Sequence, residues 1–113
     1  MDFNHFLTSY MPDPTIGSRK HFNDLIDQAK LAERLGYISV SIPEHHLVNL
    51  LMMPSPLLMA VKIATLTKKI NVTTSVSVLP LHDMRIFAGE VSTADILTGG
   101  RLILGVGRGA FAW

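Results

Sequence analysis

Tyr37-Ile38-Ser39-Val40-Ser41-Ile42 reads as a short apolar strand, and it runs directly into Pro43-Glu44-His45-His46. Two imidazoles and a carboxylate at the end of a buried strand need partners, because polar groups taken from water are costly unless they are hydrogen-bonded. Histidine also titrates near neutral pH, which suits it to moving protons. The plainer alternative is a surface turn that happens to hold two histidines.

Helical patterns flank this strand on both sides. Upstream, Phe22, Leu25, Ile26, Ala29, Ala32 and Leu35 recur at helical spacing after Gly17-Ser18, and Gly36 is the stop. Phe3–Leu7 before it is a first strand. Downstream, Ser55-Pro56 opens a helix over Leu57–Thr67, with serine as N-cap and proline at the first helical position. That helix is apolar nearly all round, which predicts burial on more than one side. Ile70–Leu79, rich in Val and Thr, is a third strand. Asp83 to about Leu97 is a third helix stopped by Gly99-Gly100, and Arg101–Val106 is a fourth strand.

The order β-α-β-α-β-α-β, with strand starts roughly thirty residues apart, matches βαβ units and hence parallel strands with helical crossovers. An open doubly wound sheet and a (β/α) barrel share this alternation. In both, function gathers at the carboxyl ends of the strands. The polar residues collect there repeatedly: Glu44, His45 and His46 after the second strand, Ser75 and Ser77 within the third, His82 and Asp83 beyond it, and Arg108 after the fourth.

The chain has 113 residues, a formal charge of +1, 48% hydrophobic and 17% charged residues, which describes one soluble globular domain. It has no cysteine, so disulfides and thiolate metal sites are excluded. No Lys/Arg block exists to neutralise phosphates, which argues against nucleic acid or a membrane surface as partner. The apolar stretch Leu47–Ala64 is broken by Asn49, Pro54, Ser55, Pro56 and Lys62 and is not a membrane span. Met1-Asp2-Phe3-Asn4-His5 lacks the pattern of a signal peptide, so a cytoplasmic location is expected.

Gly105-Val106-Gly107-Arg108-Gly109-Ala110 satisfies G-x-G-x-x-A, but the dinucleotide fingerprint also needs a following helix and an acidic residue about twenty positions on. Neither follows before Trp113, so these glycines read as close approach of backbone to a ligand or a neighbouring strand. Arg108 is then an anion contact or a surface salt bridge, since guanidinium matches phosphate oxygens in a fork. Successive strand residues point to opposite faces, so His45 and His46 could not ligate one ion if the strand continued. With only His82 and Asp83 to add, no metal is expected. His5 and His21 read as structural or exposed, and the six methionines as core filler.

Gly36-Tyr37, Pro43-Glu44-His45-His46, Ser55-Pro56, Val78-Leu79-Pro80-Leu81-His82-Asp83, Asp95-Ile96-Leu97-Thr98-Gly99-Gly100-Arg101-Leu102 and Gly105-Val106-Gly107-Arg108-Gly109 together resemble the bacterial luciferase-like flavin monooxygenases, in order and along the whole chain. The resemblance implies a (β/α)₈ TIM barrel of α/β class that binds reduced FMN at its strand ends and uses dioxygen to oxygenate a small organic substrate such as an aldehyde. A deazaflavin is the alternative cofactor, and a flavin reductase is the implied partner. His45 is implied as the catalytic histidine, assisting proton transfer, with His46 in support. Glu44, Ser75, Val76, Gly107, Arg108 and Gly109 are implied as cofactor-binding residues, with a non-proline cis peptide at Ser75–Val76 under the flavin ring and Arg108 at its phosphate. Gly107 stands where some luciferases carry a reactive cysteine, so no thiol chemistry is expected.

Two departures qualify the match. The run His82-Asp83-Met84-Arg85-Ile86 lacks the family's usual proline, and Gly89 replaces the first of two glutamates while Glu90 keeps the second. That unsettles the third helix, which in this family joins the second at a dimer interface; a homodimer through both is still expected. A full barrel takes about 250 residues. Residues 1–113 are therefore expected to be the amino-terminal part of one barrel domain, about the first four strands and three helices, with strands one and four as open edges. The alternative function is a truncated, non-catalytic relative that binds flavin or only dimerises; a metal-dependent hydrolase on a related barrel ranks below both.

Overall fold

The computed structural model describes residues 1–110. Its elements alternate as the apolar periodicity demands. Strand β1 (Asn4–Phe6) is followed by helix α1 (Ser18–Arg34), β2 (Ser39–Ile42), α2 (Pro56–Leu66), β3 (Asn71–Thr74), β4 (Ser77–Val78), α3 (Met84–Leu97), β5 (Leu102–Ile103) and β6 (Val106–Gly107). β1, β2, β3 and β5 form a four-stranded parallel sheet in that order, and β4 pairs with β6 in a separate parallel ribbon.

Register divides the sheet into two faces. His5, Val40, Val72 and Leu102 stand side by side. Val40, Val72 and Leu102 of that row pack with Leu25, Ala29 and Ile63 in the core between sheet and helices. His5 reaches Gln28 of α1, with Nε2 3.0 Å from Oε1. The neighbouring rows, Asn4-Ser39-Asn71 and Phe6-Ser41-Thr73-Ile103, therefore point to the opposite face. Met53 and Met59 fill the core as their flexible side chains suggest. His21 is buried on α1, and its Nε2 has no hydrogen-bond partner among the described residues.

The glycine stops work as the sequence implies. Gly36 has φ +86°, and the Gly36 and Tyr37 N–H groups close onto Glu33 O and Ala32 O, which completes the helix end that only a left-handed residue allows. Gly99 and Gly100 repeat the arrangement on α3, donating to Ile96 O and Asp95 O. Arg101 then ties two helix ends together. Its Nη2 donates to Ala64 O at 2.6 Å on α2 and its Nε to Thr98 O at 3.0 Å after α3, where carbonyls lack helical partners.

Three expectations need correction. The third strand is not continuous over Ile70–Leu79: β3 and β4 lie in different sheets, separated by Ser75–Val76, and Leu79–Leu81 forms a 3₁₀ turn. The fourth strand likewise divides into β5 and β6. No proline falls at Ser75–Val76 or Leu104–Gly105, and β-branched or apolar residues stand on both sides of each break, so pattern alone does not see them. Helix α2 buries one face only. Met59, Ala60 and Ile63 are buried, whereas Leu58 is 72% exposed. Pro56 does open the helix, but the Ser55 hydroxyl makes no capping hydrogen bond.

Candidate active site

The carboxyl ends of β2 and β3, the β4–β6 ribbon and the loops that follow meet around one cavity of about 370 Å³. Glu44, His45 and His46 reach it from β2, Ser75 and Val76 from the β3–β4 junction, and Arg108 and Gly109 from the end of β6. Phe6, Val48, Val78, Pro80 and Leu81 supply apolar wall. The volume falls in the range of about 300–1,000 Å³ common to small-molecule sites.

The segment after β2 is fixed by its backbone. His45 N–H donates to Met53 O at 2.8 Å, so the loop returns to bridge its own start. Leu47, directly after His46, has φ +55° and is 95% exposed, an unusual backbone for a branched side chain. The Ser75–Val76 peptide bond is cis. It lies where Ser75 N–H donates to Ile42 O at 2.7 Å and Ser77 N–H to Gly105 O at 2.8 Å.

Glycines let the last strand close on this junction. A Cβ on Gly105 would stand 2.1 Å from Thr74 O, and one on Gly107 would stand 2.7 Å from Val76 Cγ2. The close approach expected of these residues is thus an approach to the neighbouring strand. Gly107 stands behind Val76 and is not among the residues lining the cavity. Arg108 lines it, is exposed, and forms no ion pair among the described residues.

Glu44 is the best-anchored group of the site. Its side chain is fully buried. Oε2 accepts the Val78 N–H at 2.7 Å, while Oε1 lies 2.7 Å from His46 Nε2 and 2.8 Å from His82 Nε2. His82 stacks at 4.5 Å on Phe87 of α3. Sequence reasoning placed His82 beyond the third strand but gave it no role, and the partner it finds is 38 positions away. Among the described residues no group of three or more His, Cys, Asp or Glu is placed to hold a metal ion. Asp83 is occupied otherwise: it accepts the Arg85 N–H as N-cap of α3, and the Arg85 side chain holds its carboxyl below the ordinary value.

A second, larger hollow of about 830 Å³ lies between α2 and α3. Leu58, Ile86 and Leu97 form apolar parts of its wall, and Glu44, Ser77 and His82 also line it. Glu44 therefore belongs to the wall of both cavities. No helix among the described residues is long and apolar enough to cross a membrane.

The family model described as luciferase-like monooxygenase matches residues 1–113. The oxygenase component of a flavin-dependent trigonelline monooxygenase from Acinetobacter baylyi is 32% identical over 92 residues, covering 81% of this chain and 26% of that protein. The alkanal monooxygenase alpha chain of Photorhabdus luminescens is 31% identical over 112 residues, covering 98% of this chain and 30% of that protein. Among solved structures, the FMN complex of the oxygenating constituent of 3,6-diketocamphane monooxygenase from Pseudomonas putida superposes with a TM-score of 0.91 at 28% identity, over 98% of this chain and 30% of its own. The chain thus spans less than a third of the length of these relatives.

Proposed function

The chain belongs to the luciferase-like monooxygenase family, and from that premise we propose that it builds the amino-terminal share of a site where reduced FMN and dioxygen oxygenate a small organic substrate such as an aldehyde. In this reading residues 1–113 are part of one (β/α)₈ barrel domain of a cytoplasmic enzyme. One observation carries the reading: a single cavity at the strand ends is lined by His45, by the cis Ser75–Val76 bond and by Arg108.

The residues present fit a flavin. Val76 and Val78, with Pro80 and Leu81, give apolar surface for a planar ring, and Arg108 gives a guanidinium for a phosphate. When bound, the reduced flavin supplies the electrons that activate dioxygen. His45 moves a proton at the reacting edge, Arg108 holds the anionic tail, and the apolar wall keeps water from the ring. Gly107 acts indirectly, by letting the strand lie against Val76. The relative described as an oxygenase component supports a separate reductase as the source of reduced flavin here.

The test is a titration of the purified chain with FMN, followed by turnover with reduced FMN, oxygen and a long-chain aldehyde. FMN binding is expected, weakened by His45→Ala and Arg108→Ala, with turnover well below that of a full-length relative. Absence of flavin binding would sink the reading, and tighter binding of a deazaflavin would overturn the choice of FMN. Flavin binding with no oxygenation would instead support the second reading, a non-catalytic member of the family.

The hollow between α2 and α3, walled in part by Leu58 at 72% and Ile86 at 63% exposure, is where a second copy would dock its own helices. Sedimentation velocity should give a dimer that Ile86→Asp converts to monomer. A monomeric parent chain would refute the dimer.

A further inference from the structure

We propose that Glu44 is a positioning residue that fixes His46 as the Nε2–H tautomer, leaving Nδ1 of His46 as the proton acceptor for a ligand in the strand-end cavity. The inference deepens the flavin-site reading and rests on it for the identity of that ligand. Its geometry stands independently.

Glu44 is fully buried, and an ionised carboxylate can only accept hydrogen bonds. Its Oε2 is committed to the Val78 N–H at 2.7 Å. Both imidazoles meet Oε1, at 2.7 Å from His46 and 2.8 Å from His82. Each must therefore present a proton at Nε2. In a neutral imidazole the proton sits on one nitrogen only, and the bond made by that nitrogen decides which. For His46 the remaining nitrogen, Nδ1, is then a lone-pair acceptor. Among the described residues it has no hydrogen-bond partner, and the side chain is 35% exposed and lines the cavity.

His45 differs. Its backbone is held by Met53, but no described side chain holds its ring. Of the pair, His46 thus has the better-oriented ring, and it adds a proton acceptor beside His45. A proton passed to His46 breaks an O–H or N–H bond of the ligand and forms N–H at Nδ1. The resulting imidazolium keeps its Nε2–H on Glu44, whose negative charge faces the new positive one. His82, from the turn before α3, is the third member. It occupies the same oxygen and leans on Phe87, and so restrains the carboxylate from the side of the α2–α3 hollow.

Replacing Glu44 with glutamine gives a sharp expectation. The Val78 N–H still requires an oxygen, so the amide nitrogen falls at the Oε1 position and donates. Both imidazoles must then accept through Nε2 and carry their protons on Nδ1. Long-range ¹H–¹⁵N spectra of the imidazoles in the 113-residue chain, without flavin, read this directly. In the parent chain His46 and His82 are expected as Nε2–H tautomers, and in folded Glu44→Gln both are expected to switch to Nδ1–H. A His46 that is Nδ1–H or a tautomer mixture in the parent overturns the proposal, as does a folded Glu44→Gln that keeps Nε2–H. If the variant does not fold, the parent spectrum alone decides. Because no flavin is present, a chain that shows the expected tautomers but binds no FMN counts for this inference and against the flavin reading.

Discussion

Gly105→Ala should destabilise the protein by about 3 kcal/mol, from overpacking and lost hydrogen bonds together. The added Cβ would stand 2.1 Å from the Thr74 carbonyl oxygen and 3.3 Å from its carbon. Both atoms are backbone, so no side-chain rotation relieves the overlap, and β3 and the β5–β6 link must separate. Overpacking of this kind costs about 1–3 kcal/mol. Separation also loosens a tight set of bonds: Ser77 N–H to Gly105 O at 2.8 Å, Thr74 Oγ1 to Gly105 O at 2.8 Å, and Gly105 N–H to Thr74 Oγ1 at 3.0 Å. Thr74 and Ser77 are fully buried, so each bond lost is worth about 1 kcal/mol or more. Gly107→Ala is the informative partner. Its Cβ meets Val76 Cγ2 at 2.7 Å, a side-chain methyl that can yield, and Val76 yields toward the cavity. Urea unfolding followed by circular dichroism, with FMN titration in parallel, separates the two. Gly105→Ala should lose mainly stability and Gly107→Ala mainly flavin affinity. A Gly105→Ala midpoint matching the parent chain to within about 0.5 kcal/mol, the scatter of ordinary surface changes, would refute the close-approach reasoning.

Gly89→Ala should stabilise the chain by about 0.5–1 kcal/mol, because Gly89 lies inside α3, its Cβ position is open, and alanine is the better helix former; a lowered thermal midpoint would contradict this. Glu33 accepts the backbone N–H groups of Lys68, Lys69 and Ile70 at 2.8–3.0 Å. Burial works against the charge, but those three bonds and Arg101 hold its carboxyl below the ordinary value of 4.5. A carboxyl depressed in the folded state adds stability that is full above 4.5 and is lost as pH falls through the folded value. Glu33→Gln should therefore cost about 1–2 kcal/mol at pH 7 and progressively less below 4.5, and a difference in urea midpoints that stays constant down to pH 3 would exclude this linkage.

What could be read from the residues in order divides along one physical line. Helix α1 was legible, stop included, because the apolar repeat and Gly36 are local signals, and the helix end they specify needs no distant partner. The convergence of His45, Ser75 and Arg108 on one cavity was legible at the level of topology, since parallel strands bring their carboxyl ends to one side, whereas Val76 was implied only by the family resemblance. The break between β3 and β4 was not, because sheet membership depends on which strand arrives beside Ser77, and that strand is β6, near residue 106.

The Gly99-Gly100-Arg101-Leu102 run shows why a motif match and a role are different things. The motif pointed to a flavin family, yet its two glycines end α3, and Arg101 joins the carbonyl ends of α2 and α3 through Ala64 O and Thr98 O. Those residues hold the frame, whereas Arg108, five positions beyond Ile103, lines the cavity. Glu44 reverses the case. As part of Glu44-His45-His46 it looks like one of three equivalent polar groups, but only Glu44 is fully buried and bonded to three others. The partner that sets it apart is His82, from another β/α unit, and no spacing rule links positions 38 residues apart. The chemistry of the triplet is therefore decided by contacts from Val78 and His82, and the histidine those contacts orient is His46 rather than His45.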